Sequence, residues 1–234
     1  MKKIAFLVLA TSIAFGCAEM TQVMEEVSDM SSTPSLTNDE VIRGLKQALE
    51  VGTNNSTALT SKMDGFYKNP AIFIPFPPEA IKVKEKVEAL GMGNQVEKFE
   101  MTMNRAAETA TKEAAPIFIN AITSMSIADG FAILRGNDNA ATHYLMNKTS
   151  SQLNGKFKPV VKNAIDQVQV TKYWNPIINT YNKVPLVEKM NPDLDDYITT
   201  KAMDGLFLMI EKEEKNIRAN PMARVTDLLK KVFA

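Results

Sequence analysis

An apolar stripe between Asn94 and Met125 constrains the fold more than any other feature of the sequence. Small and apolar residues recur there at steps of three or four, the spacing that places side chains on one face of an α-helix. They are Val96, Phe99, Met103, Ala106, Ala110, Ala114, Ile117, Ala121 and Met125. Alanine in the middle of the stripe lets a neighbouring helix approach closely. We therefore predict an all-α fold, a single multi-helix bundle built around a long central helix.

Further helices are predicted on both sides of this one, within one all-helical domain over residues 37–234. Thr37 and Glu40 have the spacing of a capping box, which marks the start of a first helix. Pro116 and Pro159 fall inside two long helical patterns. Because proline lacks an amide hydrogen and clashes with the preceding turn, we expect both of these long helices to be kinked.

A proline-rich segment at residues 71–78 interrupts the helical pattern. It reads A-I-F-I-P-F-P-P, and its three prolines exclude a helix. We predict an extended strap that crosses the bundle and buries Ile72, Ile74 and Phe76 against helices. The alternative is that aromatic side chains here form the lip of a binding groove. The candidate lip residues are Tyr67, Phe73 and Phe76.

The first residues of the chain have the layout of a secretory signal. Lys2 and Lys3 precede an apolar run at residues 4–15 that is too short to span a bilayer as a stable helix. The only cysteine of the chain, Cys17, follows Gly16. The junction resembles the bacterial lipobox, in which the cysteine is lipidated and becomes the first residue of the mature protein.

We therefore expect residues 1–16 to be a signal peptide and Cys17 to be the lipid attachment site. Residues 17–36, which are mostly polar, would then form a tether that anchors the domain to a membrane. An ordinary signal peptide, cut after Gly16 or Ala18, is the alternative. Apolar residues between residues 19 and 30 would share one face if this part were helical, so a docked or membrane-lying helix is a second alternative to a flexible tether.

Charge and composition exclude several classes of function. The formal net charge is zero and basic residues are interleaved with acidic ones, so no basic block is available to bind nucleic acid. In residues 211–218 acidic and basic residues are interleaved in this way, and we predict that they form the charged end of a helix. The single histidine, His143, has no glutamate three residues before it, which excludes the ligand pattern of a di-iron bundle. We expect neither a metal nor a cofactor.

The best candidate for a polar constellation lies on the central helix, beside the apolar stripe. Glu100, Asn104 and Glu108 recur every four residues, and Arg105 is adjacent to them. A buried carboxylate beside an arginine would have a perturbed pKa. Two carboxyl groups, here Glu100 and Glu108, are what a carboxylate-dependent hydrolase uses for catalysis. The alternative is a solvent-exposed face stabilised by weak ion pairs between residues four apart, such as Glu108 and Lys112.

Four sequence segments resemble one bacterial family. They read T-N-D-E-V-I-R-G-L-K-Q-A-L-E-V-G at 37–52, D-G-F-Y-K-N-P-A-I-F-I-P at 64–75, M-N-R-A-A-E at 103–108 and R-V-T-D-L-L-K-K-V-F at 224–233. On these segments the chain resembles the family known as domain of unknown function 4197. The resemblance implies an exported helical protein, often with a lipoprotein-type leader, and it transfers no activity.

Together these observations favour a non-catalytic envelope lipoprotein with a binding or structural role. It would be exported, face the periplasm and be held at a membrane by its lipid. Its partner would be another envelope protein or an apolar small molecule. The second option rests on methionines such as Met103 and Met209, which are predicted on inner helix faces and adapt to irregular apolar shapes. The alternative is a carboxylate-dependent hydrolase that uses the acidic cluster on the central helix.

Overall fold

The computed structural model describes residues 37–89, 91–167, 174, 182–183, 185–186, 189, 194–224 and 226–232. The predicted signal peptide, Cys17 and the tether at residues 17–36 lie outside these residues. Within them the chain forms eight α-helices and no strand, which confirms the predicted all-α fold. The helices are α1 (Asn38–Ser61), α2 (Ile81–Ala89), α3 (Gly93–Ala110), α4 (Ala114–Thr123), α5 (Ile127–Arg135), α6 (Ala140–Gln167), α7 (Leu194–Ala219) and α8 (Asp227–Val232).

The predicted central helix consists of two helices in line, α3 and α4. A single 3₁₀ turn, Thr111–Glu113, joins them. The 3₁₀ turn contains Lys112, whose carbonyl the ring of Pro116 would clash with in a continuous α-helix. The interruption of the α-helix therefore falls at the position where the sequence predicted a kink. In the other long helix with an internal proline, α6 continues through Pro159 without a break.

The apolar stripe lies in the core, as predicted. Eight of its nine residues are buried, and Phe99 is partly buried and packed against the same core. Ala106, Ala110 and Ala114 are completely buried. Helices α6 and α7 pack against α3, and α7 also packs along α1. The stripe is therefore the side of α3 and α4 that faces the rest of the bundle.

The C-terminal helix α8 packs against the N-terminal half of α1. A Cβ atom added at Gly44 of α1 would lie 2.6 Å from a methyl group of Val232 and 3.2 Å from Leu228. The hydroxyl of Thr226 donates a hydrogen bond of 2.9 Å to the side-chain oxygen of Gln47. Glycine at position 44 thus allows the contact between the two ends of the domain.

The proline-rich strap, residues 71–78, crosses the bundle as predicted. Ile72, Ile74 and Phe76 alternate with more exposed residues and are all buried. The turn that begins at residue 62 includes the first two residues of the strap, Ala71 and Ile72, and the amides of Ile72 and Phe73 both donate to the carbonyl of Asn69. The extended part of the strap therefore begins at Phe73, two residues later than predicted. A 3₁₀ turn, Pro78–Ala80, leads out of the strap into α2. The strap lies between α3 on one side and α7 on the other, because its neighbours come from both helices.

No single helix among the described residues is long and apolar enough to cross a bilayer. One sharply bent pair, Gly93–Thr123 with Ile127–Arg135 at 105°, reaches the required length and composition only when the two parts are taken together.

Candidate functional site

The polar constellation predicted on the central helix lies on the side of α3 that faces the strap. We call Glu100, Asn104 and Glu108 the polar ladder. Asn104 is 0% exposed and Glu108 is 4% exposed, while Glu100 and Arg105 are partly buried. The alternative of a solvent-exposed face is therefore wrong for Asn104 and Glu108. The polar ladder is instead covered by the chain segment that precedes α2.

The middle member of the polar ladder, Asn104, pairs with the backbone of the strap. Its side-chain oxygen accepts a hydrogen bond of 2.8 Å from the amide of Ile74, and its side-chain nitrogen donates one of 2.9 Å to the carbonyl of Ile74. The same nitrogen also donates to the carbonyl of Glu100 at 2.8 Å. Asn104 thus supplies both bonds that a neighbouring β-strand would give to Ile74.

The first member of the polar ladder, Glu100, binds the strap two residues further along. One carboxylate oxygen of Glu100 accepts a hydrogen bond of 3.2 Å from the amide of Phe76 and an ion pair of 2.8 Å from Lys84 of α2. Four residues of α-helix rise about 6 Å, and two residues of extended chain rise about 6.6 Å. Side chains at every fourth position of α3 therefore match alternate amides of the strap, which runs antiparallel to the helix.

The third member of the polar ladder, Glu108, binds the turn before the strap. One oxygen of its carboxylate accepts hydrogen bonds from two successive amides, Phe66 at 3.0 Å and Tyr67 at 3.1 Å. The other oxygen is bound by the guanidinium of Arg105 at 2.7 Å. This hydrogen bond to Glu108, followed by one to Asp64, raises the pKa of Arg105 above its ordinary value, so the arginine stays charged.

Asp64 extends this network to the surface of the turn. Its backbone lies in the left-handed region with φ of 66°, which aspartate tolerates better than most residues. Its carboxylate forms an ion pair of 2.9 Å with Lys68 and a second one with Arg105. These hydrogen bonds, from Lys68 first and then from Arg105, hold the pKa of the Asp64 carboxyl below its ordinary value.

Helix α7 holds the opposite side of the strap. The phenol of Tyr197 donates a hydrogen bond of 3.1 Å to the carbonyl of Pro75, and burial raises the pKa of Tyr197 to about 12, which keeps this donor protonated. A Cβ atom added at Gly205 would lie 2.7 Å from the ring of Phe66 and 3.1 Å from Ile72. The absence of a side chain at Gly205 lets the turn and the strap pack directly on the helix.

The chemistry open to the polar ladder follows from these bonds. Both oxygens of Glu108 are engaged, one by two amides and the other by an arginine. Glu100 and Glu108 are eight residues apart, a rise of about 12 Å along the helix, whereas paired catalytic carboxyl groups of glycosidases lie about 5–9.5 Å apart. The carboxylates are thus directed at different parts of the covering segment and do not face a common cleft.

The three candidate lip residues do not share one environment. Phe76 is buried, and its ring centroid lies 4.9 Å from that of Phe99 and 5.6 Å from that of Trp174. Tyr67 and Phe73 are partly exposed, with ring centroids 6.1 Å apart, and the guanidinium of Arg105 lies 5.5 Å from the Tyr67 centroid. Phe76 belongs to the core, while Tyr67 and Phe73 lie together at the surface. Their role in a groove stays a prediction.

A second buried carboxylate, Glu214 of α7, was missed in the sequence because it lies in a charged run. Its oxygens accept hydrogen bonds from the amides of Ala141 at 3.0 Å and Thr142 at 2.8 Å, both in the first turn of α6. Arg218 donates to the same carboxylate at 2.9–3.0 Å and also to the carbonyl of Ile133. Glu214 and Arg218 therefore fix the start of α6 to α7. The charged helix end predicted at residues 211–218 thus contains one buried carboxylate and one partly buried arginine.

A small cavity lies next to Glu214, between α1, α6 and α7. Its volume is about 30 Å³, and apolar side chains such as Leu45, Leu49 and Ile210 line most of it. Pockets for small organic ligands have volumes of roughly 300–1,000 Å³. Met103 is 1% exposed and Met209 is packed against the core, so these methionines fill space between helices. Binding of an apolar ligand stays a prediction that this cavity does not favour.

The single histidine, His143, lies on a different helix from the polar ladder. His143 is exposed on α6. No group of three His, Cys, Asp or Glu side chains among the described residues could hold a metal ion.

Comparison with known protein families assigns the chain to a family. A family model described as "Protein of unknown function (DUF4197)" matches residues 35–234, the whole helical domain. No curated protein and no solved structure matches the chain.

Proposed function

Given that this chain belongs to the DUF4197 family, we propose that it is a non-catalytic lipoprotein of the cell envelope with a binding or structural role. One observation supports a non-catalytic role: the side chains of the polar ladder accept hydrogen bonds from the backbone of the strap and of the preceding turn. Carboxylates committed to buried amides serve folding, because each amide would otherwise be left without a partner.

The anchor is proposed from the leader of the chain. Lys2, Lys3, the apolar run at residues 4–15 and the lone Cys17 support export followed by lipidation of that cysteine. Treated as flexible, the tether at residues 17–36 would keep the domain on the order of 25 Å from its lipid. The domain would then work at a membrane surface, facing the periplasm.

A protein partner in the envelope is the kind of binding that we favour. The cavity beside Glu214 has a volume of about 30 Å³, which is far too small for a lipid or another apolar metabolite. The outer surface carries interleaved charges and a few exposed apolar side chains, such as Met63 and Met222. Contacts through this surface would need no opening of the core.

Fractionation of cells that express Cys17→Ser tests the anchor. The wild-type protein and a Ser31→Ala control in the tether should sediment with membranes, and intact mass should show the added lipid. The Cys17→Ser protein should move to the soluble periplasmic fraction. A wild-type mature protein with a free Cys17 thiol, together with unchanged fractionation of Cys17→Ser, would contradict the proposal.

Native mass spectrometry of gently purified protein tests the mode of binding. We expect that the domain carries no bound small molecule and that it forms a complex with one envelope protein. A stoichiometric apolar ligand would instead support the small-molecule alternative. The hydrolase alternative would be supported by a hydrolytic activity that Glu108→Gln abolishes while the free energy of unfolding stays unchanged.

A further inference from the structure

We draw no further inference here: the strongest candidate, the partly exposed aromatic patch formed by Tyr67 and Phe73 beside Arg105 at the outer edge of the strap, carries nothing because no feature of the described residues shows what would cover it.

Discussion

Replacing Asn104 with alanine tests the role of the polar ladder most sharply. Asn104 is completely buried, and it is the partner of both the amide and the carbonyl of Ile74, which is itself 1% exposed. Asn104→Ala would leave these two backbone groups buried without a partner. Each such group costs about 1–3 kcal/mol, and the better helix propensity of alanine returns about 0.6 kcal/mol.

We therefore expect Asn104→Ala to lower the free energy of unfolding by about 1.5–5.5 kcal/mol, a large part of the roughly 5–15 kcal/mol that is usual for a domain. The midpoint of thermal unfolding should fall by about 3–20 °C, since about 2–4 °C corresponds to 1 kcal/mol in a domain of this size. Urea unfolding of a chain that starts at Ala18, monitored by circular dichroism, measures the change in the free energy of unfolding.

Asn55→Ala is the matched control, because it removes the same side chain from an exposed position of α1. Asn55 donates a hydrogen bond of 2.8 Å to Glu213 at the surface, and water replaces that bond when it is lost. The control should change the free energy of unfolding by no more than about 0.5 kcal/mol. Equal effects of Asn104→Ala and Asn55→Ala would refute the assignment of Asn104 as a support of the strap.

Two further pairs of variants test the other buried contacts by the same urea unfolding assay. Glu214→Ala leaves two α6 amides and a partly buried arginine without their acceptor, so it should lower the free energy of unfolding by about 3–5 kcal/mol. Glu211→Ala, the control, breaks only a surface ion pair and should change the free energy of unfolding little. Similar decreases for both variants would contradict the role of Glu214. Gly205→Ala would push a methyl group against the ring of Phe66 and should cost about 1–3 kcal/mol. Gly155→Ala is the control, because no atom lies within 4 Å of the added methyl group, and it should stabilise the protein by about 0.5–1 kcal/mol. If Gly205→Ala and Gly155→Ala both stabilised the protein, the turn and the strap would not pack on α7 as described.

The features predicted correctly from the sequence are those that depend on local periodicity. The steps of three and four between Val96 and Met125 mark a buried helix face wherever the neighbouring helices lie. The alternation of Ile72, Ile74 and Phe76 likewise predicts which side of the strap is buried. In both cases the hydrophobic pattern alone determines the answer.

The partners of the polar ladder could not be read from the same pattern. Asn104 binds a residue 30 positions away and Glu108 binds one 42 positions away, so their contacts depend on the path of the whole chain. The four-residue period of Glu100, Asn104 and Glu108 is equally typical of an exposed face and of a site. One signal was available, since a buried extended segment outside any sheet must find partners for its amides.

Glu214 shows the same limit in a charged stretch. It lies on the inner face of α7, because Ile210 and Ile217 stand four residues before it and three after it and are both buried. That spacing indicates a buried position for Glu214. The identity of its partners, the amides of Ala141 and Thr142, depends on how α6 meets α7, and no local pattern carries that information.

Hydrogen exchange of individual amides, measured by NMR, tests most directly the claim that the polar ladder is used to hold the covering segment. The amides of Phe66, Tyr67, Ile74 and Phe76 are each bound to a member of the polar ladder. The reference is the amide of the exposed residue Ala71, whose hydrogen bond of 3.2 Å to the side chain of Asn69 lies at the surface. The four bound amides should exchange at least about a hundredfold more slowly than this reference, a difference of about 2.7 kcal/mol in opening free energy. Exchange of these four amides as fast as that of Ala71, while the amides of α3 stay protected, would contradict the account.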